Sequence, residues 1–283
     1  MNGSQNVNVK NAGINPPNGI VVNYFLKDFT DSSLLKIFVL DKNKKTVSTF
    51  STKPAGDTAK IEATKGMNQF VWNMNYAPAE KIDGMILWNG NIPGPKAIPG
   101  KYFIRIIKDS KDSAEAEANI KSNPNFKETQ QEYEDQFNFL LSVRDKFSEI
   151  QKGIKNIREI RKQIADFMGR QGSDTVGAIK TMADSINNRM TKIEEALYQT
   201  KSKSPQDVLN YPIRLNDQVS GLYDYAASGN YPPTQQVKDA YLFLTEKADA
   251  ELKKLKTITE VDVPKFNALI REKQLPVIGV KKE

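Results

Sequence analysis

The chain has 283 residues, 39% hydrophobic and 27% charged, the composition of a soluble globular protein long enough to bury two cores. It contains no Cys and no His, which excludes thiol nucleophiles, Ser-His-Asp triads, imidazole acid–base chemistry, and zinc or di-iron sites built on those ligands. The net charge of +7 is spread along the chain without a Lys/Arg block of the kind that tracks phosphates, so a solvated basic surface is expected and nucleic acid is not.

No apolar run approaches the roughly 20 residues needed to span a bilayer. Residues 1–10 carry Asn2, Gln5, Asn6 and Asn8 where a signal peptide needs an apolar stretch. No cofactor or metal is expected.

The first part reads as strands. Ile20–Leu26, Leu34–Asp41, Thr46–Ser51, Met67–Met74, Tyr102–Ile107 and Ala114–Ile120 are short, β-branched or aromatic, and separated by turn residues. Asp41-Lys42-Asn43-Lys44 reads as a polar hairpin. Leu34–Asp41 and Tyr102–Ile107 are apolar at both parities, as central strands are, whereas Ala114–Ile120 alternates as an edge strand does. Such spacing predicts an immunoglobulin-like or fibronectin-III-like β-sandwich of about seven strands over residues 1–122.

Within it lies a long connection, Asn75–Gly100, broken by Pro78, Gly84, Gly90, Pro93, Gly94, Pro95 and Pro99. A loop of that length in a compact domain is often functional. Gly94–Lys101 superficially resembles a phosphate-binding loop. It has five residues between its glycines instead of four, Tyr102 where a Mg²⁺-binding hydroxyl should stand, and a strand following instead of a helix. It therefore reads as a turn feeding the next strand.

After Ser122-Asn123-Pro124-Asn125 the period changes. Phe137, Leu140, Phe147, Ile150, Ile154, Ile157, Ile160, Ile164 and Phe167 stripe one helix over Glu128–Met168, which stops at Gly169-Arg170-Gln171-Gly172. Asp174 is the expected N-cap of a second helix striped by Ile179, Met182, Ile186, Met190, Ile193 and Leu197. A break at Ser202–Pro212 precedes a shorter helix with Leu215, Val219, Leu222 and Tyr225 inward. Thr234 caps a fourth, with Val237, Tyr241, Leu244, Ala248, Leu252 and Leu255 inward, and a last helix opens at Asp262-Val263-Pro264. Stripes on long helices must be buried against one another, so residues 127–275 are expected to form an antiparallel bundle of four to five helices. The whole is α+β and multidomain.

No catalytic constellation emerges. The acid pairs Glu194-Glu195, Glu134-Asp135 and Glu115 with Glu117 fall on expected solvent faces or an edge strand. The aromatics say more. Trp72, in Phe70-Val71-Trp72, is expected in the core. Trp88, in Leu87-Trp88-Asn89-Gly90, with Tyr76 at the start of the connection, has two readings. Trp88, Tyr76 and Asn89 are candidate contacts for a polysaccharide, an aromatic face and an amide meeting a sugar ring. Alternatively, Trp88 folds back and closes the open end of the sandwich.

Several stretches carry a resemblance. They are Asn15-Pro16-Pro17-Asn18-Gly19 leading into Val22–Leu26, Gly66–Asn73, Gly94-Pro95 with Pro99-Gly100-Lys101-Tyr102, Leu215-Asn216 with Leu222-Tyr223, and Val263–Glu272. In that order they resemble the C-terminal region of large bacterial sortilin-like or BNR-repeat glycosyl-hydrolase-like proteins, in which a β-propeller precedes a sandwich and a helical region. The first part also resembles the Ig-like domain of flagellar hook-assembly scaffolds. The propeller's repeated Ser-x-Asp-x-Gly-x-x-Trp turns are absent from this chain, so no catalytic residue carries over. The resemblance implies an exported protein of a Bacteroidetes-like organism, located extracellularly, in the periplasm or at the cell surface. It implies a non-catalytic structural or interaction module, with a β-propeller domain or a partner protein as its partner. Carbohydrate binding through the aromatic loop is the alternative.

Overall fold

The structure is a computed structural model and describes residues 15–56, 58–89, 92–171 and 177–275. The chain is α+β and divides into two compact units, one comprising Met1–Tyr76 with Gly100–Lys121, the other Ala77–Pro99 with Ser122–Glu283.

The first unit holds two sheets. Strands β1 (Ile20–Leu26) and β5 (Gly66–Trp72) pair antiparallel, Ile20 opposite Trp72 and Leu26 opposite Gly66. The other sheet runs in the order β4 (Ala59–Lys60), β3 (Thr46–Ser51), β2 (Leu35–Leu40), β6 (Gly100–Lys108), β7 (Asp112–Ile120). It is antiparallel except for the short β3–β4 pair. β2 is the middle strand, with Leu35, Ile37 and Val39 fully buried and Lys36 exposed between them. The alternation of one face inward sets the register, because a one-residue slip would expose all three.

Aromatic pairs tie the sheets together. Phe50 on β3 meets Phe70 on β5 edge-on at 4.7 Å, and Trp72 on β5 lies 5.4 Å from Tyr102 on β6. Trp72 is wholly buried, so its indole N–H needs a partner; it donates to the Asn75 carbonyl at 3.0 Å, which the Ser48 hydroxyl also reaches at 3.0 Å. At Gly19 (φ 151°) a Cβ would stand 2.2 Å from the Trp72 carbonyl oxygen, which leaves glycine as the residue that fits. The hairpin at 41–45 forms as expected: the Asp41 carboxylate accepts from Asn43 N (2.8 Å) and Lys45 N (2.9 Å), and Lys44 takes a positive φ of 63°. β7 is the exposed edge, where Glu115 pairs with Lys44 and Arg105. These hydrogen bonds hold the Glu115 carboxyl below the usual carboxylate range.

The second unit contains α1 (Gln130–Gln171), α2 (Ala178–Leu197), α3 (Leu215–Ala227), α4 (Gln235–Thr257) and α5 (Val263–Glu272). The α1 stripe is its spine, with Val143, Phe147, Ile150, Ile154 and Ile157 fully buried and α2, α3 and α4 packed on it. Gly153 lets α4 approach: an added Cβ would lie 2.7 Å from Leu252 Cδ2. Thr234 caps α4, its side chain accepting from Val237 N. The Asp174 cap falls outside the described residues; among those described, α2 begins at Ala178 after Gly177.

One expectation is met and two need correction. The last helix opens at Val263-Pro264 as expected, directly after the fourth. A π turn over Ile258–Asp262 carries the backbone through, Val263 N donating to Ile258 O, so that Pro264 sits in the first turn of α5 where it needs no donor of its own. In α3 the inward aromatic is Tyr223, with Ala226, while Tyr225 is 72% exposed. Burial pushes the Tyr223 hydroxyl up to about 12. Finally, the breaker-rich connection does not stay with the strands, since Ala77–Pro99 belongs to the helical unit.

Candidate functional site

Breaker residues deprive Ala77–Asn89 of a backbone ladder, so its polar groups must find other partners. They find them on the helices. Arg144 of α1 donates to the Ala77 carbonyl at 3.1 Å, and the Ser148 hydroxyl accepts from Glu80 N at 3.0 Å. Tyr198, just past α2, accepts from Ile86 N at 3.2 Å. Ala79 and Ile92 are buried in the helical core, with Ile82, Met85 and Leu87 packed against it.

Two buried polar groups fix the end of this strap. Gln151 lies inside the apolar stripe of α1 and donates to the Met85 sulfur at 3.3 Å. Its carbonyl oxygen is 3.4 Å from the amide of Asn216, which is fully buried in the first turn of α3. The next residue, Asp217, is also buried, and its two carboxylate oxygens accept from Trp88 N (2.8 Å) and Asn89 N (2.7 Å). A carboxylate near a helix N-terminus is favoured by the helix dipole, and charge-assisted bonds to backbone N–H groups are the strong kind. Asp217 thus clamps two consecutive amides.

What the clamp displays is the Trp88 ring, 54% exposed. The Trp88 backbone is bonded to α3, so the tip is held by the helical unit and not by the strands. The Asn89 side chain lies over α3, where an added Cβ on Gly221 would meet its Nδ2 at 3.1 Å. Of the three candidate contacts, Trp88 and Asn89 share one tip, whereas Tyr76 ends the other unit. Gly90 falls outside the described residues.

Among the acid pairs, Glu194 corrects the expectation of a solvent face. It is buried on α2, accepting from Arg158 Nε at 2.8 Å and Arg161 Nη1 at 2.5 Å, while Arg161 also reaches the Thr191 hydroxyl at 2.6 Å. Two guanidinium groups saturate that carboxylate and pin α1 to α2. Glu195, Asp135, Glu115 and Glu117 are exposed. Among the described residues no three Asp or Glu side chains converge to hold a metal ion, and no helix is long and apolar enough to cross a membrane. A cavity of about 560 Å³ opens between α1 and α5, floored by Ile164, Phe167, Phe266 and Ile270, with Asp166, Arg170 and Arg271 at its rim.

Asp217, Gln151 and Gly221 carry no motif of their own, and Asn216 stands out only within the Leu215-Asn216 stretch of the resemblance. The one available hint was polar residues at inward positions of striped helices, which are retained only when a partner satisfies them. No family model, curated protein or solved structure matches the chain.

Proposed function

We propose that the chain is a non-catalytic interaction module, an immunoglobulin-like or fibronectin-III-like sandwich followed by an antiparallel helical bundle. It serves as the accessory C-terminal region of an exported propeller-type protein, outside the cytoplasm. The observation that carries this reading is the bond pair from Asp217 to Trp88 and Asn89. A buried carboxylate committed to two loop amides holds a large aromatic ring in water, and preorganising an exposed anchor in this way lowers the ordering cost of binding.

A second surface supports a protein partner. Phe25 and Met67 are register partners on β1 and β5, 65% and 70% exposed, with Val21 exposed on the same face. The Asn23–Gln69 pair lies between these apolar groups, and a mixed face of that kind is what a packed neighbour, such as a propeller domain, would cover. The likeness to sortilin-like and BNR-repeat proteins supports that partner and the exported location.

The experiment replaces Trp88 with a photoreactive phenylalanine analogue in the full chain and irradiates it in an extract of the source cells. The same analogue at Tyr211, another exposed aromatic, is the control. Adducts should form at position 88 in excess over position 211 and fall when Asp217→Ala releases the tip. Equal labelling at both positions would overturn the reading.

A further inference from the structure

The exposed face of α3 extends the tip. Asp217, Gly221, Asp224 and Tyr225 are spaced four, seven and eight residues along the helix, which places them on one side of it. Gly221 has no side chain, and Asn89 occupies the space above it. One turn further on, Tyr225 is 72% exposed and Asp224 is exposed beside it. Neither Asp224 nor the Asn89 amide forms a side-chain hydrogen bond with another described residue. The loop tip and this face of α3 therefore bring two exposed aromatic residues to the neighbourhood of an amide and a carboxylate.

We infer that Trp88, Asn89, Asp224 and Tyr225 form a shallow carbohydrate-binding surface for a neutral polysaccharide. This rests on the reading of the tip as a recognition element and names its ligand class. The chemistry of a pyranose chain fits this set of groups. Each ring has an apolar C–H face that packs on an aromatic ring and a rim of hydroxyls that both donate and accept. Asn89 offers a donor and an acceptor to that rim, and Asp224 accepts from vicinal hydroxyls. An apolar protein segment would leave the amide and the carboxylate desolvated without partners, a cost a sugar avoids. The clamp matters here because a shallow site cannot offset the ordering of a loose loop.

The test is affinity electrophoresis of the full chain in native gels containing a soluble β-glucan, an α-glucan, a xylan or a galactomannan. Wild type should be retarded in at least one gel. Trp88→Ala and Tyr225→Ala should each weaken retardation about tenfold or more, as loss of one stacked ring would, with unchanged mobility in sugar-free gels and a melting temperature within about 4 °C of wild type. Trp88→Phe, which keeps an aromatic face, should retain most of the retardation. Wild type running unretarded in all four gels would overturn the inference. So would retardation that survives both alanine substitutions, since the sugar would then bind elsewhere. Crosslinking of position 88 to a protein, with no retardation in any gel, would leave the interaction module standing and remove the sugar.

Discussion

Asp217 and Trp88 are 129 residues apart in sequence, yet the carboxylate of one accepts the backbone N–H of the other at 2.8 Å. The second oxygen takes Asn89 N at 2.7 Å, so one buried side chain determines the path of the loop tip. The bonds are to the Trp88 backbone, not to its ring, so clamp and ring are separable by mutation.

Asp217→Ala should cost about 2–4 kcal/mol of stability, because it removes two charge-assisted hydrogen bonds and leaves two amides to resolvate. Trp88→Ala should cost less than about 1 kcal/mol, since the ring it removes is largely in water. Urea denaturation of the two variants checks the difference. A larger loss from Trp88→Ala than from Asp217→Ala would mean that the ring, not the clamp, holds the strap.

Glu194→Ala should destabilise the helical unit by about 2–3 kcal/mol. Arg158 and Arg161 converge on this buried carboxylate, and removing it leaves two like charges facing each other. Its neighbour Glu195 is exposed, so Glu195→Ala should stay within about 0.5 kcal/mol of wild type. Thermal denaturation of the pair, which differ by one position along α2, reads the contrast directly.

Alkaline titration should reveal Tyr223. Its hydroxyl is pushed up to about 12 by burial, against an ordinary 10.0. The folded state therefore holds this proton more tightly than the unfolded one. The sign follows: its contribution to stability is complete below pH 10 and is lost as pH rises toward about 12. Tyrosinate absorbance should show a late-titrating component in wild type that is missing from Tyr223→Phe. If the two profiles superimposed, Tyr223 would not be buried as described.

Periodicity made the elements legible. The strands Ile20–Leu26 and Thr46–Ser51 fall where alternation and turn residues place them, and the stripe from Phe137 to Phe167 lies within α1. Trp72 was legible as a core residue because it stands in a β-branched, aromatic run. A strand of two residues, Ala59–Lys60, is too short to carry a period. In α3 the 3.6 period does not distinguish Tyr223 from Tyr225 cleanly, because both border the stripe of Val219 and Leu222. The tip was legible in part. Trp88 and Asn89 stood out by composition, but their anchor did not, because no local pattern links a loop to a carboxylate more than a hundred residues away. The strap is hidden for the same reason: chain order puts it between two strands, while its hydrogen bonds lie with Arg144, Ser148, Tyr198 and Asp217.

The central claim is that a buried carboxylate fixes the backbone that carries an exposed tryptophan. Site-resolved amide hydrogen exchange at Trp88 and Asn89 tests it most directly, because both N–H groups are bonded to Asp217 while the residue they belong to, in the case of Trp88, is exposed. In wild type both amides should exchange slowly, in step with the core of the helical unit. In Asp217→Ala they should accelerate together by about a hundredfold or more, the equivalent of roughly 3 kcal/mol of local stability. Exchange of these two amides at free-chain rates in the wild-type protein would contradict the account.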